Sequence, residues 1–175
     1  MKIEPSGLPG VYIIKREPFF DIRGSFSRMF CKQELVGAGL CGDIAQINLS
    51  TNNSVGTLRG LHSQQGEDAE DKIVTCTSGK IFDVCVDVRE NSKNFGKWFG
   101  IGLSPENGLA LYVPKGFAHG YLTLCANAHV LYMVTQFYKQ GAEQGYRFDD
   151  PKFSIDWPLK QPFIISAKDS SWPYV

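Results

Sequence analysis

The alternation of apolar and polar positions predicts a chain built mainly from β-strands. Residues 81–89 place apolar side chains on one parity and a mixed set on the other, which is the period of two of a strand with one apolar face. Residues 129–138 contain no Asp, Glu, Lys or Arg, so we expect this strand to be covered on both faces. Further strands are predicted at 11–14, 44–49, 72–77, 98–103 and 109–113.

Helical patterns are nearly absent. Only Cys31–Gly39 is predicted to be a short helix, and 148–175 is predicted to form loops and short turns packed on the strands. Many short strands separated by Asn, Gly and Pro turns are typical of a β-sandwich or barrel. The chain has 175 residues and no internal boundary, so one domain spanning 1–175 is expected.

The charge balance argues against a bulk electrostatic partner. Eighteen Lys and Arg are offset by 18 Asp and Glu, and neither a basic face nor a basic amphipathic helix is present. No stretch approaches the roughly 18 apolar residues of a membrane helix, and the N-terminus lacks the apolar region of a signal peptide. We therefore predict a cytoplasmic protein without nucleic-acid or membrane partners.

The cysteines indicate neither disulfides nor zinc. There are five, an odd number, and no CxxC spacing occurs among them. Cys76 and Cys85 lie in apolar strand-like runs, so they are predicted to be small buried side chains.

Two of the three histidines are candidates for chemistry. His129 opens a strand without notable polar neighbours and is predicted to be structural. His62 and His119 each lie near a glycine that permits close backbone approach. In an unbroken strand, Arg59 and His62 would point to opposite faces. Both reach one pocket only if Gly60 bends or bulges the strand.

Strand parity gives two further predictions. Lys72 shares parity with Val74 and Cys76, and a lysine on an inward face is costly unless it has a partner or a task. Tyr132 and Tyr138 share parity on another strand, which is consistent with one pocket.

Eight motifs, in order and across nearly the whole chain, resemble the nucleotide-sugar 3,5-epimerases typified by dTDP-4-dehydrorhamnose 3,5-epimerase. This resemblance implies an all-β, cupin-type double-stranded β-helix (jelly roll) with a few short helices, and a homodimer whose subunits exchange N-terminal strands. The motifs are Asp21-Ile-Arg23-Gly24-Ser-Phe26, Leu58-Arg59-Gly60-Leu61-His62-x-Gln64, Lys72-Ile-Val74, Phe82-Asp-Val-x-Val-Asp87-Val-Arg89, Pro114-Lys-Gly116-Phe-Ala-His119-Gly120, Tyr132 within Leu-Tyr-x-x-Thr, Asp156-Trp157-Pro158 and Ser166-Ala-Lys168-Asp169.

The family resemblance implies a substrate and a set of catalytic roles. The substrate class is nucleoside-diphospho-4-keto-6-deoxyhexoses, whose C4 ketone acidifies the protons on C3 and C5. His62 would be the base, with Asp169 orienting its ring. Lys72 would stabilise the O4 oxyanion, and Tyr132 would return a proton from the opposite face. No cofactor is required.

The same resemblance implies a nucleotide site. Its members would pair with the diphosphate, stack on the base, hydrogen-bond the nucleotide or line the sugar pocket. Arg23, Arg59 and Lys168 are the diphosphate residues, Phe26 and Tyr138 the stacking residues, Gln46 and Asn48 the hydrogen-bonding residues, and His119 the sugar-pocket residue.

Three positions depart from the family pattern. Arg28 stands where a glutamate usually faces thymine, and a guanidinium only donates hydrogen bonds. The base is therefore predicted not to be thymine, with cytosine as one candidate, unless Arg28 simply contacts phosphate or solvent. Ser63 replaces an aromatic residue and Met133 replaces a lysine, so the sugar or the number of epimerised carbons is open.

Several alternatives remain at this point. They are an epimerase acting on one carbon, a 3,4-ketoisomerase, a non-catalytic nucleotide-sugar-binding cupin and a metal-dependent cupin oxygenase. Pro114-x-Gly116-x-x-His119 resembles half of the cupin metal pattern, but His62-Ser63-Gln64 lacks the His-x-His of the other half. No metal is therefore predicted.

Overall fold

Two antiparallel sheets face each other in the computed structural model, which describes residues 1–161 and 163–175. The strands, in chain order, are β1 (Lys2–Pro5), β2 (Tyr12–Lys15), β3 (Phe19–Asp21), β4 (Gly24–Phe26), β5 (Gln46–Asn52), β6 (Leu58–Gln64), β7 (Lys72–Ser78), β8 (Ile81–Asp87), β9 (Trp98–Leu103), β10 (Leu109–Val113), β11 (Phe117–Thr123), β12 (Ala128–Val134) and β13 (Glu143–Gly145). One sheet has the order β1-β2-β10-β7-β12-β5, and the other has the order β13-β6-β11-β8-β9.

The main core fills the space between the sheets. Val74, Leu111 and Val130 project from the six-stranded sheet and are fully buried. They pack in one cluster with Ile81 and Leu103 of the five-stranded sheet. This arrangement confirms the predicted all-β jelly roll and follows from the alternation seen along strands such as β8.

The helices are few and short, as predicted. They are α1 (Lys32–Gly37), α2 (Ala167–Ser170) and a 3-10 turn at Gly66–Asp68. The predicted helix Cys31–Gly39 corresponds to α1, with Cys31 as its N-cap residue. No helix in the described part of the chain is long and apolar enough to cross a membrane.

The strand predicted at 129–138 ends earlier than expected, at Val134. The N–H of Thr135 still donates to the backbone oxygen of Asp71, but the next ones bond to side chains: that of Phe137 donates to Gln136 Oε1 and that of Tyr138 to Gln46 Oε1. Phe137 and Tyr138 are consequently exposed.

The cysteines behave as predicted within the described residues. All five are free thiols, and Cys76 and Cys85 are completely buried. Burial raises the pKa of the Cys76 thiol to about 11 and also raises that of Cys85.

A two-stranded hairpin of β3 and β4 stands apart from both sheets. Its aromatic side chains are exposed in the single chain, with Phe19 at 69%, Phe20 at 70% and Phe26 at 75%. An exposed apolar patch of this kind marks an interaction surface.

Candidate active site

A cleft opens between the two sheets. Its inner part is a cavity of about 540 Å³, and a neighbouring groove of about 400 Å³ shares His62, Lys72 and Tyr132 with it. The cavity is lined by Ser50, Thr57, Leu58, Arg59, His62, Lys72, His119, Tyr121, Tyr132, Ile164, Ile165, Ser166 and Asp169.

A bulge at Gly60 directs both Arg59 and His62 into this cavity. His62 pairs with His119 across β6 and β11, but Arg59 pairs with Tyr121, so β6 contains one extra residue. Gly60 has a φ of +127°, and a Cβ there would lie 2.6 Å from the Cα of Gly120. Only glycine fits this approach, so the predicted bend is present.

His62 is paired with a buried carboxylate. Its Nε2 lies 2.7 Å from Asp169 Oδ1, while Asp169 Oδ2 accepts the N–H of Gly60 at 3.2 Å. Asp169 lies in α2, where its own N–H donates to the capping hydroxyl of Ser166. Burial raises the pKa of Asp169, but the bonds from His62 and Gly60 outweigh it and hold the pKa below its ordinary value. Since Asp169 holds the Nε2 proton, Nδ1 is left as the basic nitrogen.

Lys72 begins β7 and faces the cleft, as its parity predicts. Its Nζ lies 3.2 Å from Glu70 Oε1 and 3.4 Å from the backbone oxygen of His62. The exposed fractions of the Lys72 and Glu70 side chains are 12% and 10%. Glu70 could not be selected from the sequence, because an acidic residue before a strand has the same pattern as an ordinary surface carboxylate.

Tyr132 lies on β12, next to Asn48 of β5 and Val74 of β7. Burial raises the pKa of Tyr132, and the nearby Tyr121 and Glu70 raise it further. The hydroxyl is therefore protonated at neutral pH and available as a donor.

His119 belongs to a second carboxylate–imidazole pair. Its Nε2 lies 2.8 Å from Asp83 Oδ1, and Asp83 is completely buried. Burial raises the pKa of Asp83, although the neighbouring His119 opposes that shift. Asp83 was not predicted as a site residue, although a carboxylate in the middle of an apolar strand was a signal that could have identified it.

The groove collects several residues of the predicted nucleotide site. Gln46, Asn48 and Tyr138 line it, and Tyr138 is 62% exposed. Glu143 also lines the groove and forms an ion pair with Lys168. Tyr132 lines it as well, so both tyrosines serve this groove, but not on one strand face as predicted, because β12 ends at Val134.

Four predicted residues lie outside both linings in this chain: Arg23, Phe26, Arg28 and Lys168. Arg23 forms an ion pair with Asp21 on the exposed hairpin that also carries Phe26. Arg28 donates to Glu34 Oε1 at 2.7 Å.

His129 and the potential metal-ligating side chains lie in positions that bear on two further predictions. His129, predicted to be structural, also lies outside both linings. Among residues 1–161 and 163–175, no three His, Cys, Asp or Glu side chains are grouped so that they could hold a metal ion.

The sequence is similar to a known family of epimerases. A sequence profile of the dTDP-4-dehydrorhamnose 3,5-epimerases matches residues 5–175. The chain belongs to this family. A protein of that name from Sinorhizobium fredii is 41% identical over 177 residues, covering 99% of this chain and 89% of its own length.

Solved structures agree with this assignment. The family's enzyme from Elizabethkingia anophelis NUHP1 superposes with a TM-score of 0.95 at 41% identity, covering 99% of this chain and 96% of that one. The Legionella pneumophila enzyme RmlC, in complex with dTDP-4-keto-L-rhamnose, gives 0.93 at 35% identity, covering 99% and 92%. The fold is therefore cupin-type, and the chain is an isomerase-class enzyme of nucleotide-sugar metabolism.

Proposed function

We propose that this protein epimerises a nucleoside-diphospho-4-keto-6-deoxyhexose at C3 and C5 without a cofactor. The observation that carries the proposal is that His62, which is paired with Asp169, and the half-buried Tyr132 lie on different sheets and line one cleft. A sugar bound between the sheets presents one ring face to His62 and the other to Tyr132. Removal and return of a proton on opposite faces inverts the carbon.

The proposed reaction begins at Nδ1 of His62, which takes the proton from C3 or C5. The electron pair of the broken C–H bond forms the C=C bond of an enolate, and the C4 carbonyl oxygen becomes an oxyanion. Lys72 and His119 stabilise this oxyanion. Tyr132 then donates its proton to the carbon from the other face, and the enolate returns to the ketone. Positioned acid–base groups of this kind each contribute roughly 10²–10⁴-fold to the rate.

The groove beside the cavity is the proposed nucleotide site. From the adjoining cavity Arg59 would contact the diphosphate, while in the groove Gln46 and Asn48 would hydrogen-bond the nucleotide and Tyr138 would stack on the base. Lys168 lies close enough to the groove to join the diphosphate contacts through its pair with Glu143. The dTDP-sugar in the Legionella relative supports this substrate class.

The remaining nucleotide residues are proposed to act in a homodimer. Arg23 and Phe26 lie on the exposed β3–β4 hairpin, away from the cleft of their own chain. Ile47 and Leu49 of the edge strand β5 are also exposed, at 62% and 60%. A second copy of the chain would cover these apolar surfaces and bring each hairpin, with Arg28 close behind it, towards the partner's groove.

We also propose that residues 1–175 form a single domain. The C-terminal segment contributes Asp169 to the cavity and pairs Ile164 with Thr57, which supports one domain spanning 1–175. The cytoplasmic location stays a prediction.

The direct test is uptake of solvent deuterium into a dTDP-linked 4-keto-6-deoxyhexose, followed by NMR at C3 and C5. The wild-type protein is expected to exchange both positions with EDTA present. His62→Ala and Tyr132→Phe should each lower the product-forming rate by at least about 10²-fold, whereas His129→Ala should retain it. Exchange at one carbon only would identify a single-carbon epimerase, and a 3-keto product would identify the ketoisomerase. Unchanged turnover in both cleft variants would overturn the assignment.

A further inference from the structure

Glu70 is a charged residue of the cleft for which the proposed mechanism has no use. It lies in the connection between β6 and β7, two residues before Lys72, and it lines the groove together with Tyr132. Its side chain is only 10% exposed. A buried carboxylate is costly unless its oxygens are bonded, so its partners indicate why it is there.

Both oxygens of Glu70 have partners that belong to the site. Oε1 lies 3.2 Å from Lys72 Nζ, and Oε2 accepts from Gln64 Nε2 at 3.3 Å. Gln64 ends strand β6, which also carries His62. The carboxylate therefore joins the strand that holds the proposed base to the lysine proposed to stabilise the enolate.

The backbone around Glu70 is held firmly. The N–H of Asp71 donates to Thr135 Oγ1 at 2.8 Å, and the N–H of Thr135 donates to the oxygen of Asp71 at 3.1 Å. The Asp71 carboxylate also accepts the N–H of Lys115 at 2.7 Å. Glu70 therefore lies on a fixed backbone segment, as is needed if its carboxylate is to orient the Lys72 ammonium.

Lys72 needs such an anchor. Its only other polar contact among the described residues is the 3.4 Å approach to the His62 oxygen, and its long side chain has many rotamers. An ammonium that stabilises a developing oxyanion must be in place before the charge forms.

We propose that Glu70 is a positioning residue of the reaction: its carboxylate holds the Lys72 ammonium at the enolate site. The catalytic part of this inference rests on the proposed epimerase activity. Its structural part, the tethering of Lys72, does not.

The charge of Glu70 also bears on Tyr132. Burial and the hydroxyl of Tyr121 raise the pKa of Tyr132, Glu70 raises it further, and Arg59 lowers it. A general acid works only while protonated, so activity is lost as pH rises through its pKa. Removing the negative charge should therefore move the alkaline limb of the pH profile to lower pH. The other titratable groups lining the cavity are His62, Lys72, His119 and Asp169.

Two variants separate the tether from the charge. Glu70→Gln keeps an oxygen that accepts from Lys72 but removes the charge, and Glu70→Ala removes both. Asp43→Asn is the matched control, because it neutralises the partner of Lys32 in an exposed ion pair, where the side chains are 61% and 76% exposed.

In steady-state turnover, Glu70→Ala should lower kcat about 10- to 100-fold with KM within about twofold, since the misplaced ammonium matters chiefly in the transition state. Glu70→Gln should recover most of kcat at neutral pH, with its alkaline limb about half a pH unit or more lower. Asp43→Asn should match the wild type. Wild-type kcat and pH limb in both Glu70 variants would overturn the catalytic part.

A second measurement needs no turnover. Acetic anhydride labelling of the unliganded protein, read by peptide mass spectrometry against Lys32 as an internal reference, reports how firmly each ammonium is held. Labelling of Lys72 should increase at least about threefold in Glu70→Ala. Unchanged labelling of Lys72 would overturn the tether, and increased labelling would support it. Both conclusions hold even if the protein has no epimerase activity.

Discussion

Substituting Gly60 with alanine tests the close approach that shapes the cleft. The new Cβ would lie 2.6 Å from Gly120 Cα and 2.8 Å from the backbone oxygen of His119. Both are backbone atoms of the adjacent β11, so relief requires the two strands to separate. Gly60 also has a φ of +127°, which side-chain-bearing residues rarely adopt.

The steric contact and the backbone conformation together determine how much Gly60→Ala should destabilise the fold. Holding a residue other than glycine in such a conformation costs about 1–3 kcal/mol, and overpacking a close contact typically costs a further ~1–3 kcal/mol. For a chain of this size, each kcal/mol corresponds to about 2–4 °C in Tm. We therefore expect Gly60→Ala to lower Tm by roughly 5–20 °C.

Gly102→Ala is the matched control in the same sheet. The nearest atom to its new Cβ is Lys80 Cε at 3.9 Å, an ordinary contact, and its φ is not in the positive range. Thermal unfolding by circular dichroism should show the control near the wild type. Activity should fall with Gly60→Ala even at temperatures where the variant is folded, because the Gly60 N–H bonds to Asp169. A Tm within about 2 °C of the control would refute the steric argument.

The other predictions concern the base, the nucleotide and the dimer. Asp169→Asn should lower kcat by about 10²-fold or more, since an amide favours the wrong histidine tautomer. Because the pKa of Asp169 is lowered in the folded protein, its contribution to stability is present above about pH 4 and is lost as pH falls through the folded value. The Tm difference between wild type and Asp169→Asn should therefore disappear in acid. Titration calorimetry with dTDP and CDP tests the prediction from Arg28, and clearly tighter dTDP binding would contradict a cytosine preference. Phe19→Ser combined with Phe26→Ser should shift the protein towards monomer in sedimentation experiments while leaving the sheets folded, and an unchanged sedimentation coefficient would contradict the proposed role of the hairpin.

Much of the fold could be predicted because burial in a two-layer protein leaves a period of two in the sequence. The 81–89 pattern corresponds to β8, and the parity of Lys72 correctly indicated an inward lysine. For Arg59 and His62 the sequence set only a condition, because a straight strand cannot aim both into one pocket, and the bulge that meets this condition is present in the structure.

The parts that could not be predicted depend on partners distant in sequence. The roles of Asp83 and Glu70 depend on their ion pairs with His119 and Lys72, and these partners come close only in the folded chain. The end of β12 was misjudged because side-chain oxygens, such as Gln46 Oε1, replace a strand as backbone acceptors. Side-chain acceptors of this kind leave no periodic pattern in the sequence.

Because the cleft is formed by both sheets, the core between them determines the width of the cleft as well as the stability of the fold. His62 and Tyr132 stand on different sheets, so the width of the apolar layer acts as a spacer that sets the gap between them. Facing sheets pack about 10 Å apart, and small changes in core volume let them slide or approach. In the proposed reaction, core residues such as Val130 and Leu103 would therefore set the distance between base and acid without touching the sugar. The turnover rate should consequently serve as a finer gauge of core packing than the melting temperature.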